Sequence, residues 1–192
     1  MKKIMMTLAA AVVAVSASAQ VYLGGTVAFQ SSKPNTATIF GDKSATRFEI
    51  NPEVGYNFND SWAVGVNVGF ASVKGTWDEL GYGAAIDGEK ATTAFTVAPY
   101  ARYTYAKLGP VSLFLDGKVS YTTVKDSYNE LGINIVPGVA FAASDKVSFV
   151  AKLGDGLGWN QAKAKGSDVK NNKFGIDFDT LTALQFGLYY NF

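Results

Sequence analysis

Four segments of the chain repeat the same alternation of side chains over nine positions: residues 50–58, 97–105, 135–143 and 184–192. In each segment, most alternate positions are large and apolar or aromatic, and the positions between them are mostly small or polar. A period of two places these two kinds of side chain on opposite faces of a β-strand. The copies recur at roughly forty-residue intervals, about the length of a long hairpin with its loop. The sequence therefore predicts four hairpins, each closing on a strand of this kind.

The connections between the predicted strands fall into two groups that alternate along the chain. Tight turns follow Phe58, Tyr105 and Ala143, and polar loops are expected at about 31–45, 74–90, 125–130 and 155–173. Short turns at one end and loops at the other are typical of an outer-membrane barrel. We expect an all-β fold, a closed up-and-down antiparallel transmembrane β-barrel. An even number of strands, here eight, places both termini at the periplasmic end.

The first residues have the pattern of a secretory signal peptide rather than of the fold. A basic pair at 2–3 precedes an apolar run at 4–15, and small residues at 17–19 form a cleavage site. The predicted division is a cleaved signal peptide at 1–19 and a barrel domain at 20–192. Removal of the signal peptide takes the formal charge of the chain from +1 to −1. This charge gives no indication of nucleic-acid binding.

Missing residue types restrict the chemistry. The chain has no cysteine, so a disulfide framework and a thiolate metal site are excluded. It has no histidine, so a Ser–His or Asp–His catalytic arrangement is excluded as well. The carboxylate pairs Asp78/Glu79 and Asp177/Asp179 are expected to be solvated loop charges. We therefore predict no enzyme activity, no cofactor and no metal site.

Alternation alone does not separate a membrane barrel from a soluble periplasmic barrel of the lipocalin type, whose apolar face points inward. Here the less apolar face is rich in glycine and alanine, for example Gly65, Gly69 and Ala140. Small side chains suit the narrow interior of an eight-stranded barrel. Aromatic residues gather near both ends of the predicted strands, as in the two interfacial girdles of membrane barrels. Both features favour the membrane barrel.

The last strand places Leu188, Tyr190 and Phe192 on one face. It is similar to the C-terminal signal that the outer-membrane barrel-assembly machinery recognises. The chain as a whole resembles the small eight-stranded outer-membrane barrels, the OmpX and OmpW-like "outer membrane protein beta-barrel" family. The resemblance implies the outer membrane of a diderm (Gram-negative) bacterium, reached by export through the inner membrane. We also expect a monomer whose partners are outer-membrane lipid, lipopolysaccharide and the assembly machinery. The resemblance brings no catalytic or ligand motif.

Charged residues on the inward face are expected to lie at one depth. Counted from the short turns, these residues form a lumen charge layer: Glu53, Arg102, Asp116 and Lys152, with Lys118 just above. Arg47 and Glu49 would form a second pair higher in the lumen. Unpaired buried charges are costly, so the layer should be internally paired. It is interpreted as a structural plug, or alternatively as a switchable gate for protons, ions or small solutes.

The loops are the other candidate site, since function on rigid scaffolds concentrates there. The candidates for contact with an extracellular ligand or lipopolysaccharide are aromatic or basic: Trp77, Tyr82, Tyr128, Trp159, Lys163 and Lys165. The lysines among these loop residues could contact the anionic headgroups of lipids. The alternative is that these loop side chains are simply solvated by water and bind nothing.

The sequence therefore predicts a non-enzymatic integral outer-membrane protein for envelope structure, surface-loop contact or restricted passage of small solutes, with little steady conductance. One alternative is an OmpW-like conduit for small apolar molecules, with an apolar funnel near Val73, Phe114 and Val150. Another is a soluble periplasmic lipocalin-like carrier. Three prolines inside predicted strands, Pro52, Pro99 and Pro137, suggest a repeated bulge or bend.

Overall fold

The computed structural model describes residues 20–32, 45–74, 91–153, 156–166, 168, 170–177 and 184–192. The predicted signal peptide and the loop aromatics Trp77 and Tyr82 lie outside these residues. No helix in the described part of the chain is long and apolar enough to cross a membrane. The described strands are β1 (Val21–Ser32), β2 (Ala45–Asn57), β3 (Trp62–Lys74), β4 (Thr92–Leu108), β5 (Val111–Val124), β6 (Tyr128–Ala142), β7 (Val147–Leu153), β8 (Gly156–Ala164), β9 (Lys170–Asp177) and β10 (Leu184–Asn191).

These ten segments form eight barrel strands. Both β7 and β8 pair with β6, β7 along residues 138–142 and β8 along residues 128–135. They are two halves of the seventh barrel strand. Likewise β9 pairs with β8 and β10 pairs with β7, as two halves of the eighth. Antiparallel pairing of β10 with β1, from Tyr22 opposite Asn191 to Val27 opposite Phe186, closes the barrel. The predicted closed, eight-stranded antiparallel fold is confirmed.

The prediction of a loop at about 155–173 is wrong. Most of this segment forms the β8–β9 hairpin, which extends the barrel beside the upper half of β6. Its polar side chains hid the strand pattern, but backbone pairing with β6 does not require an apolar face where water can solvate the side chains. Trp159 and Lys163 therefore lie in β8, and Tyr128 is the first residue of β6. Lys165 does lie in a turn.

The two ends of the barrel differ. One, which we call the turn end, carries Gln20, Phe192 and the short connections 58–61, 109–110 and 143–146. The opposite one is the loop end. At the turn end, the Asn59 side-chain oxygen accepts hydrogen bonds from the backbone N–H groups of Ser61 and Trp62, at 2.9 Å each. Gly109 supplies the positive φ of 60° that its turn needs. These turns fix the register of the strands that they join at the turn end of the barrel.

Side chains alternate between a filled interior and an apolar exterior. Large apolar side chains remain exposed on the outside, including Phe29 at 72% and Phe186 at 58%. At the turn end the Trp62 and Tyr103 rings stack 4.8 Å apart between centroids. A soluble carrier would bury its apolar face, so this arrangement is the reverse of the lipocalin alternative.

The strand prolines do not mark a repeated bulge. The β2–β3 ladder keeps the same register before and after Pro52, and the β4–β5 ladder does so around Pro99. Around each proline, the ladder lacks the pair of the proline itself, which has no N–H to donate, and that of the residue before it. The register shift in the β4–β5 ladder lies elsewhere, between Thr104 and Ala106. Beside Pro137, however, β6 changes its partner from β7 to β8. Of the three prolines, only Pro137 is thus next to an irregularity in the pairing. The extra residues belong to the strand opposite β6, between Lys152 and Leu157.

Candidate functional site

Four charged side chains from four strands meet inside the lumen. They are Glu53 on β2, Arg102 on β4, Asp116 on β5 and Lys152 on β7. Their side chains are only 0%, 9%, 4% and 8% exposed, respectively. The alternation along each strand points them inward, and the short turns set their common depth. We call them the charge network.

Arg102 and Asp116 form the most directional pair of the charge network. They are directly opposite each other in the β4–β5 ladder. The Arg102 Nε atom donates to Asp116 Oδ1 at 2.6 Å, and Nη2 donates to Oδ2 at 2.8 Å. Two parallel bonds of this kind match the planar guanidinium to the planar carboxylate, which gives geometric specificity as well as energy.

Lys152 and Glu53 complete the charge network from the other side of the lumen. The Lys152 ammonium donates to Glu53 Oε2 at 2.7 Å and lies 3.3 Å from Asp116 Oδ2. Arg102 Nη2 lies 3.6 Å from Glu53 Oε1. Each acid therefore contacts both bases, and the formal charges of the four groups cancel. This pairing compensates the large desolvation cost of burying ions.

Tyrosine hydroxyls extend the charge network. Tyr100 donates to Glu53 Oε1 at 3.0 Å, and its hydroxyl lies 2.5 Å from that of Tyr22. Arg102 Nη2 also donates to the Tyr189 hydroxyl at 3.0 Å. The Arg102 Cζ atom lies 4.0 Å from the centroid of the Phe114 ring, within cation–π distance. Rings and hydroxyls thus add further contacts to the buried ions.

Each of these four rings lies over a glycine directly opposite it on the next strand. A Cβ on any of these glycines would lie 2.2 to 2.5 Å from the facing ring. A glycine leaves the space that the ring fills, and the ring covers the exposed backbone, as designed β-sheets also do. The four pairs are Tyr22 with Gly55, Tyr100 with Gly65, Phe114 with Gly138 and Tyr189 with Gly24.

The tyrosines were missed as site residues in the sequence. The signal was available, because Tyr22, Tyr100 and Tyr189 occupy the inward, small-residue positions of their strands. Phe114 and Val150, which were named for the apolar funnel, occupy inward positions as well. All five are buried and belong to one cluster around the charge network. A large aromatic at an inward position is therefore a marker of the filled part of the lumen.

A cavity of about 140 Å³ lies on the loop-end side of the charge network. Lys152, Asp116 and Tyr100 border it below, and small or polar side chains such as Asn67 and Thr96 line it. Lys118, predicted just above the charge layer, also lines this cavity. The lumen is therefore open above the network, with both polar and apolar side chains in its lining, and filled at the network itself.

The predicted upper pair, Arg47 and Glu49, is an ion pair in the structure, with side chains 23% and 12% exposed. Glu49 Oε1 also accepts hydrogen bonds from Asn51 Nδ2 at 2.8 Å and Gln185 Nε2 at 3.3 Å. Gln185 in turn accepts from Thr26 at 3.2 Å. These bonds join β1, β2 and β10 where the barrel closes.

The residues of the proposed assembly signal lie on the outer surface of β10 and just beyond it. Leu188 and Tyr190 are 44% and 38% exposed, and the Phe192 ring packs edge-on against Tyr190, with centroids 5.1 Å apart. The backbone N–H of Phe192 donates to Val21 O at 3.0 Å. The face is thus available to lipid or to a partner.

The candidates for loop contact are dispersed. Tyr128 lines the lumen cavity, whereas Trp159 lies beside the outward-facing Ile133 and Phe174. Lys163 is exposed and lies 3.2 Å from Asp168, and the Lys165 ammonium donates to Val124 O at 2.7 Å. Among the described residues, no group of three or more potential ligand side chains could hold a metal ion.

A family model described as "Outer membrane protein beta-barrel domain" matches residues 4–192 of the chain. The chain belongs to this family. A solved structure, the crystal structure of Neisserial surface protein A (NspA), matches with a TM-score of 0.53 and 18% sequence identity. The match covers 91% of this chain and 98% of that chain, and at this identity it supports the fold alone. No curated protein matches the sequence. This family member is thus an outer-membrane β-barrel protein of the Gram-negative envelope.

Proposed function

We propose that this outer-membrane barrel is a closed, non-enzymatic envelope protein whose lumen is blocked by the charge network and its rings. The supporting observation is the contact of both acids, Glu53 and Asp116, with both bases, Arg102 and Lys152, across the interior. An eight-stranded barrel has an interior that side chains can fill. The aromatic cluster around the network fills the space that the ions leave.

The arrangement favours a structural plug over a switchable gate. Moving one ion away would leave its partners buried and uncompensated, which typically costs about 3–5 kcal/mol. Arg102 is further restrained by Tyr189 and by the Phe114 ring. A gate needs two arrangements of similar free energy, and this network has one in which every ion is satisfied.

A non-enzymatic role has two supports. The chain has no histidine, so the commonest general base for activating a hydroxyl nucleophile is missing. Both buried carboxylates are in contact with Arg102 and Lys152, so their oxygens are engaged in structural pairing. The proposed role is therefore envelope structure and surface contact.

The proposed topology places the turn end in the periplasm and the loop end outside the cell, as in other barrels with short periplasmic turns. In this proposal, the signal peptide at 1–19 directs export. The assembly machinery then recognises Leu188, Tyr190 and Phe192 on the exposed face of the last strand. The barrel functions as a monomer.

The conduit for apolar molecules lacks support. Phe114 and Val150, two of the three residues of the expected funnel, belong to the buried cluster at the charge network. The side chain of the third, Val73, lies outside the described residues. The cavity above the network has charged and amide groups in its lining, which would have to be desolvated by an apolar ligand.

Liposome swelling tests the proposed function. Protein that migrates as a folded, heat-modifiable species would be reconstituted into liposomes, alongside protein-free liposomes and liposomes with a general porin. Small sugars and amino acids should enter the protein-containing liposomes no faster than the protein-free ones. Entry at a rate approaching that of the porin would overturn the closed lumen.

A further inference from the structure

On the outward face of β6, β8 and β9, residues directly opposite one another form rows across the three strands. The side chains become more polar from one row to the next toward the loop end. The lowest of three rows joins Ile133, Trp159 and Phe174. The next joins Leu131 with the amides of Gln161 and Asn172, and these two amides are hydrogen bonded at 2.8 Å. The row nearest the loop end consists of Asn129, Lys163 and Lys170.

This order fits the boundary between hydrocarbon and headgroups. The apolar face of β6 extends over ten residue-to-residue steps, from Phe141 to Leu131. At about 3.3 Å per residue and a strand tilt of roughly 40°, that segment is about 25 Å tall, the height of the apolar band of an outer-membrane barrel. Aromatic rings near that boundary and lysines one row beyond it match the usual interfacial sequence.

The pairing of Lys163 with Lys170 is the unusual feature of this face. The two residues are directly opposite each other in the β8–β9 ladder, and both are exposed. Like charges directly opposite on neighbouring strands destabilise the pair. Lys163 lies 3.2 Å from Asp168 Oδ1, but Asp168 is fully exposed, so this contact neutralises little. A phosphate placed between the two ammonium groups would remove the repulsion.

Two other nearby lysines are differently engaged. The Lys165 ammonium donates to the backbone oxygen of Val124. Lys173 is opposite Asn160 on the inward-facing set of positions, where the Asn160 side chain bonds Asn134. The outward row therefore brings Lys163 and Lys170 together, apart from these two lysines.

We propose that this face binds the phosphate groups of lipopolysaccharide, through Lys163 and Lys170, with Gln161 and Asn172 beside the sugar and Trp159 and Phe174 beside the acyl chains. The choice of lipopolysaccharide over a phospholipid rests on the proposed topology, in which the loop end faces the outer leaflet. The rows accommodate a phosphate, a sugar and acyl chains together, as in lipid A.

The test uses the folded full-length barrel in lipid-free detergent micelles, titrated with lipid and followed by native mass spectrometry. The probes are lipid A with both phosphates, lipid A with none, and phosphatidylglycerol. The variants are Lys163→Gln with Lys170→Gln, and the control is Lys107→Gln with Lys146→Gln. The control removes two exposed lysines at the turn end, so the net charge of the two proteins is equal.

The double variant Lys163→Gln with Lys170→Gln should bind bisphosphorylated lipid A about thirtyfold more weakly than wild type, because each lost lysine charge weakens binding about fivefold. The turn-end control should bind like wild type. Removing the phosphates should weaken binding to wild type by a similar factor but hardly affect the double variant. Wild type should bind phosphatidylglycerol more weakly than lipid A. If the double variant does not fold, Lys170→Gln alone should weaken binding about fivefold.

Equal binding of lipid A by wild type and the outer-face variant would overturn the site. An equal loss in the turn-end control would show that net charge alone is responsible. Equal affinity of wild type for phosphate-free lipid A, or for phosphatidylglycerol, would overturn the assignment to lipopolysaccharide phosphate. None of these outcomes depends on whether the lumen is closed, which liposome swelling measures separately.

Discussion

Arg102 and Asp116 face each other in one ladder pair of β4 and β5, and the guanidinium bonds both carboxylate oxygens, at 2.6 and 2.8 Å. The pair is buried, and it touches Glu53 and Lys152 from across the lumen. A surface pair of this geometry would contribute little to stability. Because this pair is buried, removing either partner leaves the charge of the other uncompensated, which strongly destabilises the fold.

A double-mutant cycle measures that dependence. Arg102→Ala and Asp116→Ala should each destabilise the folded barrel by about 3 kcal/mol or more, because each leaves buried ions incompletely paired. The double variant should cost clearly less than the sum of the two. Folding free energies from denaturant titration in lipid vesicles provide the measurement. The exposed pair Lys107 and Asp60, 3.4 Å apart, is the control and should show almost no coupling. Additive effects at the buried pair would contradict its assignment.

The glycines under the rings should not tolerate a methyl group. A Cβ on Gly138 would lie 2.3 Å from the Phe114 ring, and one on Gly65 would lie 2.5 Å from Tyr100. Gly138→Ala and Gly65→Ala should each destabilise the barrel by about 1–3 kcal/mol through overpacking. Gly175→Ala is the matched control, since nothing lies within 4 Å of a Cβ there. Urea titration compares the three, and equal small effects would show that the rings are loosely packed.

The Tyr100 hydroxyl should contribute to stability as a bridge. It contacts Glu53 Oε1 and the Tyr22 hydroxyl, at 3.0 and 2.5 Å. Tyr100→Phe keeps the ring but removes one hydrogen-bond partner from each of these buried groups, so a loss of about 1–3 kcal/mol is expected. Tyr103→Phe, on the exposed outer face, should change stability by less than about 0.5 kcal/mol. A Tyr100→Phe variant as stable as wild type would remove Tyr100 from the network.

The outer face should reject charge according to depth. Val66 lies in the middle of the β3 outer face and Leu108 at the turn end, and both are exposed. Val66→Arg should cost about 2–4 kcal/mol for folding into a bilayer, and Leu108→Arg about 0–1 kcal/mol. Chemical denaturation in vesicles measures both. Equal costs at the two depths would mean that this face does not lie in hydrocarbon.

The sequence predicted the face assignment correctly because a period of two determines it wherever strands are regular. The same periodicity and the short turns place Glu53, Arg102, Asp116 and Lys152 at a common depth. The contacts among them could not be predicted, since they depend on shear and on side-chain rotamers that no local pattern encodes.

The two local errors have physical causes. Residues 155–173 were expected to form a loop because their lysines and amides interrupt the apolar alternation. The start of β8 nevertheless pairs with the apolar face of β6, and its polar positions follow only toward the loop end. Pro52, Pro99 and Pro137 suggested a repeated bulge or bend, but the ladders keep their register across Pro52 and Pro99, where the proline supplies no donor.

Electrical recording in planar lipid bilayers tests the central claim, a lumen closed at the level of Arg102, most directly. Folded wild-type protein should insert without producing steady conductance steps above the bare-membrane baseline, because the charge network and its rings fill the bore. A stable open channel with the conductance of a general porin would contradict the closed lumen.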